Sequence, residues 1–490
     1  MARAAADGPP HIVIVGGGLT GLSAAHRLTA AAADGRVRVS LLEASGRLGG
    51  KVGTVRDGGL VIEEGPDAFL VRRPWAKDLC VALGLGDQLV ATPPANRRSF
   101  IYHGGRLSRI PAGVNMGVPS RLGPFLRSPL LSPGGKARAL MDLVLPRVLP
   151  PNGGDVALGQ LLGARLGREA VERLAEPLLA GIYAGGADEL SLNATFPGLR
   201  RQEAAHRSLI RAAMLEARRA PAEAVDQAAA EPPPVFLTLR GGLERLIDAL
   251  RAALEATPGM TVSVAARVHS LERAGRGGYT VRVEGDELYA DAVVVTTPAH
   301  EAAAVLKDAA PDAARELGQI AYADVALVAL AYDGAAVPRP LTGSGFVVPR
   351  GEDIGITACT WVSAKWPGTA PPGTVLLRCY LGRAGGGALG PDDDALVAVA
   401  RAALRRSMAI DAAPRVAHVI RVAAALPQYA VHHLARLERI EAAVRRLPGL
   451  AVTGSAFRGV GLPDCVRQGQ EAAEAALAWA TSAAPPDALP

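Results

Sequence analysis

Cysteines, aromatic rings and long apolar runs are scarce in this chain of 490 residues, and each shortage excludes something. The four cysteines, Cys80, Cys359, Cys379 and Cys465, stand far apart with no C-x-x-C pair. That spacing supplies neither a disulfide framework nor a zinc site and suits a reducing cytosol, so a cytoplasmic location is expected. The pair His432–His433 has no third ligand at helical spacing, and no metal is expected. No apolar run approaches the ~20 residues that cross a bilayer. The opening "MARAAADGPP" lacks the apolar centre of a secretion signal. Aromatic residues make up 4%, without a cluster, and the arginines behind the net charge of +6 are scattered. Nucleic acid is therefore not an expected partner. A solvated basic surface accounts for the charge, and a site for an anionic substrate is the sharper reading. No internal repeat is visible.

What is present points to an α/β protein. Apolar residues make up 49% and charged residues 20%, ample for a core of two or three domains. Residues 11–15, "HIVIV", read as a buried strand that runs straight into glycines. Leu19, Leu22, Ala25 and Leu28 then recur at helical spacing, predicting a helix over 19–33. "VRVSLLEAS" (37–45) reads as a second, parallel strand ending on Glu43, which completes a β-α-β unit.

Gly16, Gly18 and Gly21 match G-x-G-x-x-G between that strand and helix, where the dinucleotide fingerprint must lie. Gly16 permits the tight turn, Gly18 lets backbone approach a pyrophosphate, and Gly21 lets helix and strand pack closely. The helix N-terminus offers unpaired N–H groups to the phosphates. Glu43 stands 22 positions after Gly21, where a carboxylate binds ribose hydroxyls and disfavours a 2′-phosphate. The next stretch, "EASGRLGGKVGT" (43–54), adds Gly49 and Gly50 beside Arg47 and Lys51. It could wrap a cofactor longer than NAD, which favours FAD.

Farther on, 100–216 reads as helical segments punctuated by proline and glycine, and 217–234 as a flexible connection. "TVSVAARVHSL" reads as one strand, followed by a hairpin around "RAGRGGYTVRVEGDELYA" and a buried strand, "DAVVVTTPA". Mixed strands and helices fill 324–440. A last helix is expected from Asp464, with Asp464 capping it, to about Trp479.

Together with the opening run, "EEGPDAFLVRRP" (63–74), "EPLLAGIYAGGADELSLNATFP" (176–197), "EAAHRSLI" (203–210), "GSGFVVPRGEDIGITACTWVSAKWP" (343–367), "LPQYAVHH" (426–433) and "GSAFRGVGLPDCVRQG" (454–469) resemble the porphyrinogen oxidases. These belong to the amine oxidase-like flavoprotein superfamily. The likeness runs from about residue 11 to 480 and is greatest to the Gram-positive type, regarded as coproporphyrinogen III oxidases. It implies an FAD-binding Rossmann-like fold with two dinucleotide-binding domains, a mixed α+β substrate domain and a helical insertion. The implied division is an FAD-binding domain in three parts (11–99, 235–322 and 443–482), an insertion lining the substrate site (100–234), a substrate domain (323–442), and tails at 1–10 and 483–490.

The resemblance also implies site residues. FAD phosphates would lie against Gly16, Gly17, Gly18, Leu19, Thr20 and Gly21. The ribose would meet Glu43 and Ala44, and Lys51 is the basic residue of the G-G-K run. Gly65, Pro66, Asp67 and Ala68 would lie under the isoalloxazine ring, and the Val268 backbone would hold the adenine. Val460, Gly461 and Leu462 would sit beneath the pyrimidine end, where a helix N-terminus stabilises negative charge on the reduced ring. Val422 stands where the family usually has a tryptophan, and Ala430 where the Gram-positive relatives often have histidine.

The implied reaction is the six-electron oxidation of coproporphyrinogen III by oxygen, giving hydrogen peroxide. Arg73 would meet a propionate, with Arg97 as a further candidate, and Tyr429 and His433 would line the pocket. No general base is assigned. The alternatives are protoporphyrinogen IX as substrate, a flavin amine oxidase, or a porphyrin carrier without catalysis. A ferrochelatase is the expected transient partner by pathway logic. "RLGPFLRSPLLSPGGKARALMDLVLP" could touch a membrane surface peripherally, although packing over the active site is the favoured reading.

Overall fold

The computed structural model describes residues 8–150, 153–219, 233–275, 277–386, 389–390 and 392–482. Its frame is a five-stranded parallel sheet in the order Met260–Ser263, Arg38–Leu42, His11–Val15, Ala292–Val295, Leu450–Val452. Alternate residues of the central strand enter different cores. Ile12 and Ile14 pack with Leu22, Leu41 and Val466, whereas Val13 and Val15 pack with Val293, Val295 and Leu317. A parallel strand covered on both faces has no polar side, which is why "HIVIV" is unbroken.

A seven-stranded sheet stands beside this frame. Its order is Val416–Pro427, Tyr322–Asp333, Thr374–Leu381, Ala358–Trp361, Gly345–Val347, Ser99–His103, Arg106–Arg109. All its pairings are antiparallel except that of Gly345–Val347 with Ser99–His103. Helices between Leu122 and Arg219 form a third unit around Phe125, Leu161, Leu174 and Leu209. Inside it the fully buried Arg165 donates to Asp142, which also accepts from Ser208 Oγ and Ile210 N. With every charge met, the buried pair is tolerated there.

Several expected boundaries move. The helix over 19–33 is two, Leu19–Arg27 and Thr29–Ala33, because Leu28 N turns back to Ala25 O and Thr29 Oγ1 donates to His26 O. "TVSVAARVHSL" is two strands, Met260–Ser263 and Val268–Arg273, separated by Ala265 at φ +52°. The first joins the parallel sheet and the second a three-stranded antiparallel one. The 100–216 stretch is not helical throughout. Its first residues form the strands Ser99–His103 and Arg106–Arg109, since Phe100, Ile101 and Tyr102 find partners across the seven-stranded sheet. The last helix begins at Leu462, with Gly461 as its cap and Asp464 in its first turn. Most of the connection expected at 217–234, namely 220–232, and both tails (1–7 and 483–490) lie outside the described residues.

Candidate active site

One cavity of about 1100 Å³ runs from the first glycine loop between the two large sheets to the helical unit. Ligand pockets commonly hold ~300–1,000 Å³, so this one has room for a long cofactor and a second bulky ligand.

The glycine loop forms one end. Gly16 adopts φ +108°, and Gly17 N donates to Glu43 Oε2 at 2.6 Å. A Cβ on Gly21 would lie 1.9 Å from Gly16 O, so the helix meets the turn at a distance only glycine allows. A Cβ on Gly18, in contrast, would meet no atom within 4 Å, and Gly18 is part of the cavity wall. Bare backbone there fronts open space above the N-terminus of the Leu19–Arg27 helix, as an approaching phosphate requires. Glu43 Oε1 accepts from Ser45 N at 2.8 Å and Ser45 Oγ at 2.7 Å. Three of a carboxylate's roughly four acceptor positions are thus taken, which fixes the group and leaves capacity on Oε2 for a hydroxyl. Gly49 N bonds Gly17 O at 2.8 Å, tying the second glycine pair to the first loop. Lys51 also lines the cavity, giving its Nζ to Ala424 O and Ala425 O at 2.6 Å each. Burial pushes its ammonium down to about 8.

Gly65, Pro66, Asp67 and Ala68 continue the wall. Asp67 Oδ2 receives Lys365 Nζ and Trp366 Nε1, both at 3.0 Å, and lies 3.5 Å from Arg378. Burial works against that charge, but Lys365 and Arg378 prevail and hold the carboxyl well below the usual range. Arg378 also donates to Glu63 O at 3.0 Å, Gly65 O at 3.1 Å and Tyr380 Oη at 2.6 Å. Two cations meet the one Asp67 carboxylate, and Glu63 nearby, its carboxyl raised to about 7 by burial, is a second acid beside Arg378. The sequence reading missed Arg378, Lys365 and Tyr380. An arginine inside the apolar strand "TVLLRCYLG" is the signal that could have found the first, because such a group needs buried partners.

Ala44, Thr20, Leu19, Val268 and Val422 also reach the wall, as do Val460, Gly461 and Leu462 at the start of the last helix. Arg97 lies on it, with Nε donating to Thr92 O at 3.2 Å. Leu178, Gly181 and Ile182 of the helical unit close the far side.

Arg73, Tyr429 and His433 do not reach the cavity wall. Arg73 is drawn to Asp464, to which its Nη1 donates. Tyr429 is 1% exposed; its hydroxyl donates to Ser455 O at 2.6 Å and accepts from Gly459 N at 3.0 Å. It therefore braces the loop that leads into Val460. His433 stacks on Tyr429 with centroids 4.2 Å apart. Burial lowers its imidazole to about 4, so it is neutral near pH 7. Among the described residues, no group of three His, Cys, Asp or Glu side chains could hold a metal ion, and no helix is long and apolar enough to cross a membrane.

Fold and site together define an oxidoreductase with a dinucleotide cofactor's cradle at the C-terminal edge of its parallel sheet and further cavity space beside it. The chain belongs to the flavin containing amine oxidoreductase family, whose profile matches residues 19–477. Its cofactor is FAD, and the open face at Gly18 together with the anchored Glu43 fits that group. The chain is 39% identical to the coproporphyrinogen III oxidase of Bacillus subtilis, over 96% of this chain and 99% of that protein. It is 36% identical to that of Staphylococcus aureus, over 95% and 99%. A protoporphyrinogen oxidase of Macaca fascicularis is 32% identical over 95% of this chain and 98% of its own. Among solved structures, one from Exiguobacterium sp. 255-15 superposes with a TM-score of 0.83 at 34% identity, covering 96% of this chain and 98% of that one. Putrescine oxidase, at 17% identity and a TM-score of 0.66, covering 95% and 98%, shares the fold alone.

Proposed function

We propose that this protein oxidises coproporphyrinogen III to coproporphyrin III, using three molecules of oxygen and releasing three of hydrogen peroxide. Six electrons and six hydrogens leave the substrate in three two-electron steps. The observation that carries the reading is near full-length identity to coproporphyrinogen III oxidases, 39% over 478 residues in one case. The cavity supports it by having volume for a tetrapyrrole beside the cofactor.

Bound FAD supplies hydride acceptance and reoxidation by oxygen. The protein's own share is binding, orientation and exclusion of water. Backbone at Gly16–Gly21 would hold the pyrophosphate, and Glu43 the ribose. Residues 65–68 and 460–462, which line the same cavity, would hold the ring. Arg97 is the wall cation we assign to a substrate carboxylate, in place of Arg73, while Lys365 stays paired with Asp67. Leu178 and Ile182 add apolar surface to the wall, and contacts between charges strengthen where such surface displaces water.

Protoporphyrinogen IX is the second substrate to test, given the Macaca relative. Each colourless porphyrinogen is supplied under air and porphyrin fluorescence is followed, with peroxide counted. Coproporphyrin should appear faster, with three peroxides per porphyrin. Emission from neither compound would end the assignment, and faster emission from protoporphyrinogen would reverse the order. A ferrochelatase as transient partner, and a cytoplasmic site of action with peripheral membrane contact at most, complete the proposal.

A further inference from the structure

We propose that Arg73 and Asp464 form a charge pair that sets the redox potential of the bound flavin, and that Arg73 does not act as a substrate anchor. The inference rests on the flavin reading above. Asp464 is the third residue of the Leu462–Thr481 helix and is 5% exposed. Its carboxylate lies beneath the loop that forms the cavity wall, with Oδ2 3.3 Å from where a Cβ on Gly461 would stand and 2.6 Å from one on Gly459.

A carboxylate in the first turn of a helix is stabilised by the N-terminal N–H groups. Here it carries a second consequence. The start of the same helix reaches the cavity wall at Gly461 and Leu462, with Pro463 contributing no N–H to that turn, and its positive end would favour a ring there that gains negative charge on reduction. An unopposed carboxylate in that turn would cancel the benefit. Arg73 is the ion-pair partner of Asp464, and it arrives from outside the cavity, its own side chain 43% exposed. It cannot serve a ligand inside the cavity from there without abandoning the acid. One exposed cation thus offsets one buried anion directly behind the ring's binding loop.

The test uses the flavin-loaded full-length chain and four variants: Arg73→Met, Arg73→Lys, Asp464→Asn, and Arg73→Met combined with Asp464→Asn. The midpoint potential of the bound flavin is read by dye-equilibrated reduction, and KM for coproporphyrinogen is measured alongside. Arg73→Met should make reduction about tenfold less favourable, a drop of about 30 mV for a two-electron couple. Asp464→Asn should raise the potential, the double variant should return close to the parent value, and Arg73→Lys should stay near it. An unchanged potential in Arg73→Met overturns the inference. If KM for coproporphyrinogen rises at the same time, Arg73 is a carboxylate anchor after all. Should Asp464→Asn fail to fold, the two single Arg73 variants, altered at a largely solvated side chain, still decide. A parent protein that binds no flavin would instead overturn the proposed function itself.

Discussion

Gly18 and Gly21 lie three residues apart in one motif, yet the structure predicts opposite failures when each is replaced by alanine. At Gly21 the added methyl would lie 1.9 Å from Gly16 O and 2.7 Å from Thr296 Oγ1. The first is backbone in a turn that Leu42 O also holds, through Gly16 N at 2.8 Å, so it cannot swing aside. Helix and strand must separate, and overpacking of this kind costs about 1–3 kcal/mol. Gly21→Ala should therefore unfold at lower temperature whether or not flavin is present. At Gly18 the methyl meets nothing, and φ of −71° suits alanine. Reduced freedom of the unfolded chain favours alanine by about 0.4–1 kcal/mol, while alanine is a poorer helix cap than glycine. These opposing effects leave the flavin-free protein about as stable as the parent. The methyl does project into the space where backbone must approach the pyrophosphate, so flavin affinity should fall at least tenfold. Thermal melts of flavin-free protein and flavin titration separate the two outcomes. A Gly18→Ala protein that holds flavin as tightly as the parent, or a Gly21→Ala protein of parental stability, would refute the steric argument.

Three further perturbations test the rest of the site. Tyr429→Phe removes the hydroxyl that accepts from Gly459 N and donates to Ser455 O. It should cost about 1–3 kcal/mol and speed flavin release, read by melts and by dissociation of the yellow colour; unaltered release would show that the loop needs no brace. Asp67→Asn leaves Lys365 and Arg378 without their shared anion, an imbalance costing about 3–5 kcal/mol when buried. Because the Asp67 carboxyl is held below its unfolded value of about 3.9, its contribution is present above that pH and is lost on acidification. The variant should accordingly differ less from the parent in strong acid. For Lys51, burial lowers the folded value to about 8, while the unfolded chain keeps its proton up to ~10.4. Stability from this group therefore rises between those two values, and Lys51→Met should flatten denaturant curves taken across that window.

How much of this was legible beforehand depends on how far apart the partners lie. The strand, turn and helix at residues 11–27 could be read directly, because each requirement is met within a few positions: apolar residues for a doubly covered strand, and no Cβ where Gly21 crosses Gly16. The Ala265 turn was missed because a left-handed alanine carries no compositional mark. The helical reading after Phe100 overlooked a local signal, the Gly104–Gly105 hairpin that pairs Ser99–His103 with Arg106–Arg109, although the pairing on the other side, with Gly345–Val347, lies more than 200 residues away.

By itself the sequence determined the dinucleotide fingerprint, the acid at position 43 and the family to which the chain belongs, since these depend on backbone sterics and long matched segments. Tertiary structure alone decided which charges meet. It sent Arg73 to an aspartate 391 residues distant and brought Arg378 and Lys365 to Asp67. It also withdrew Tyr429 and His433 into the packing behind the cofactor loop. Backbone requirements are local and therefore written in neighbouring residues, whereas a charged side chain pairs with whatever folding places within a few ångströms of it.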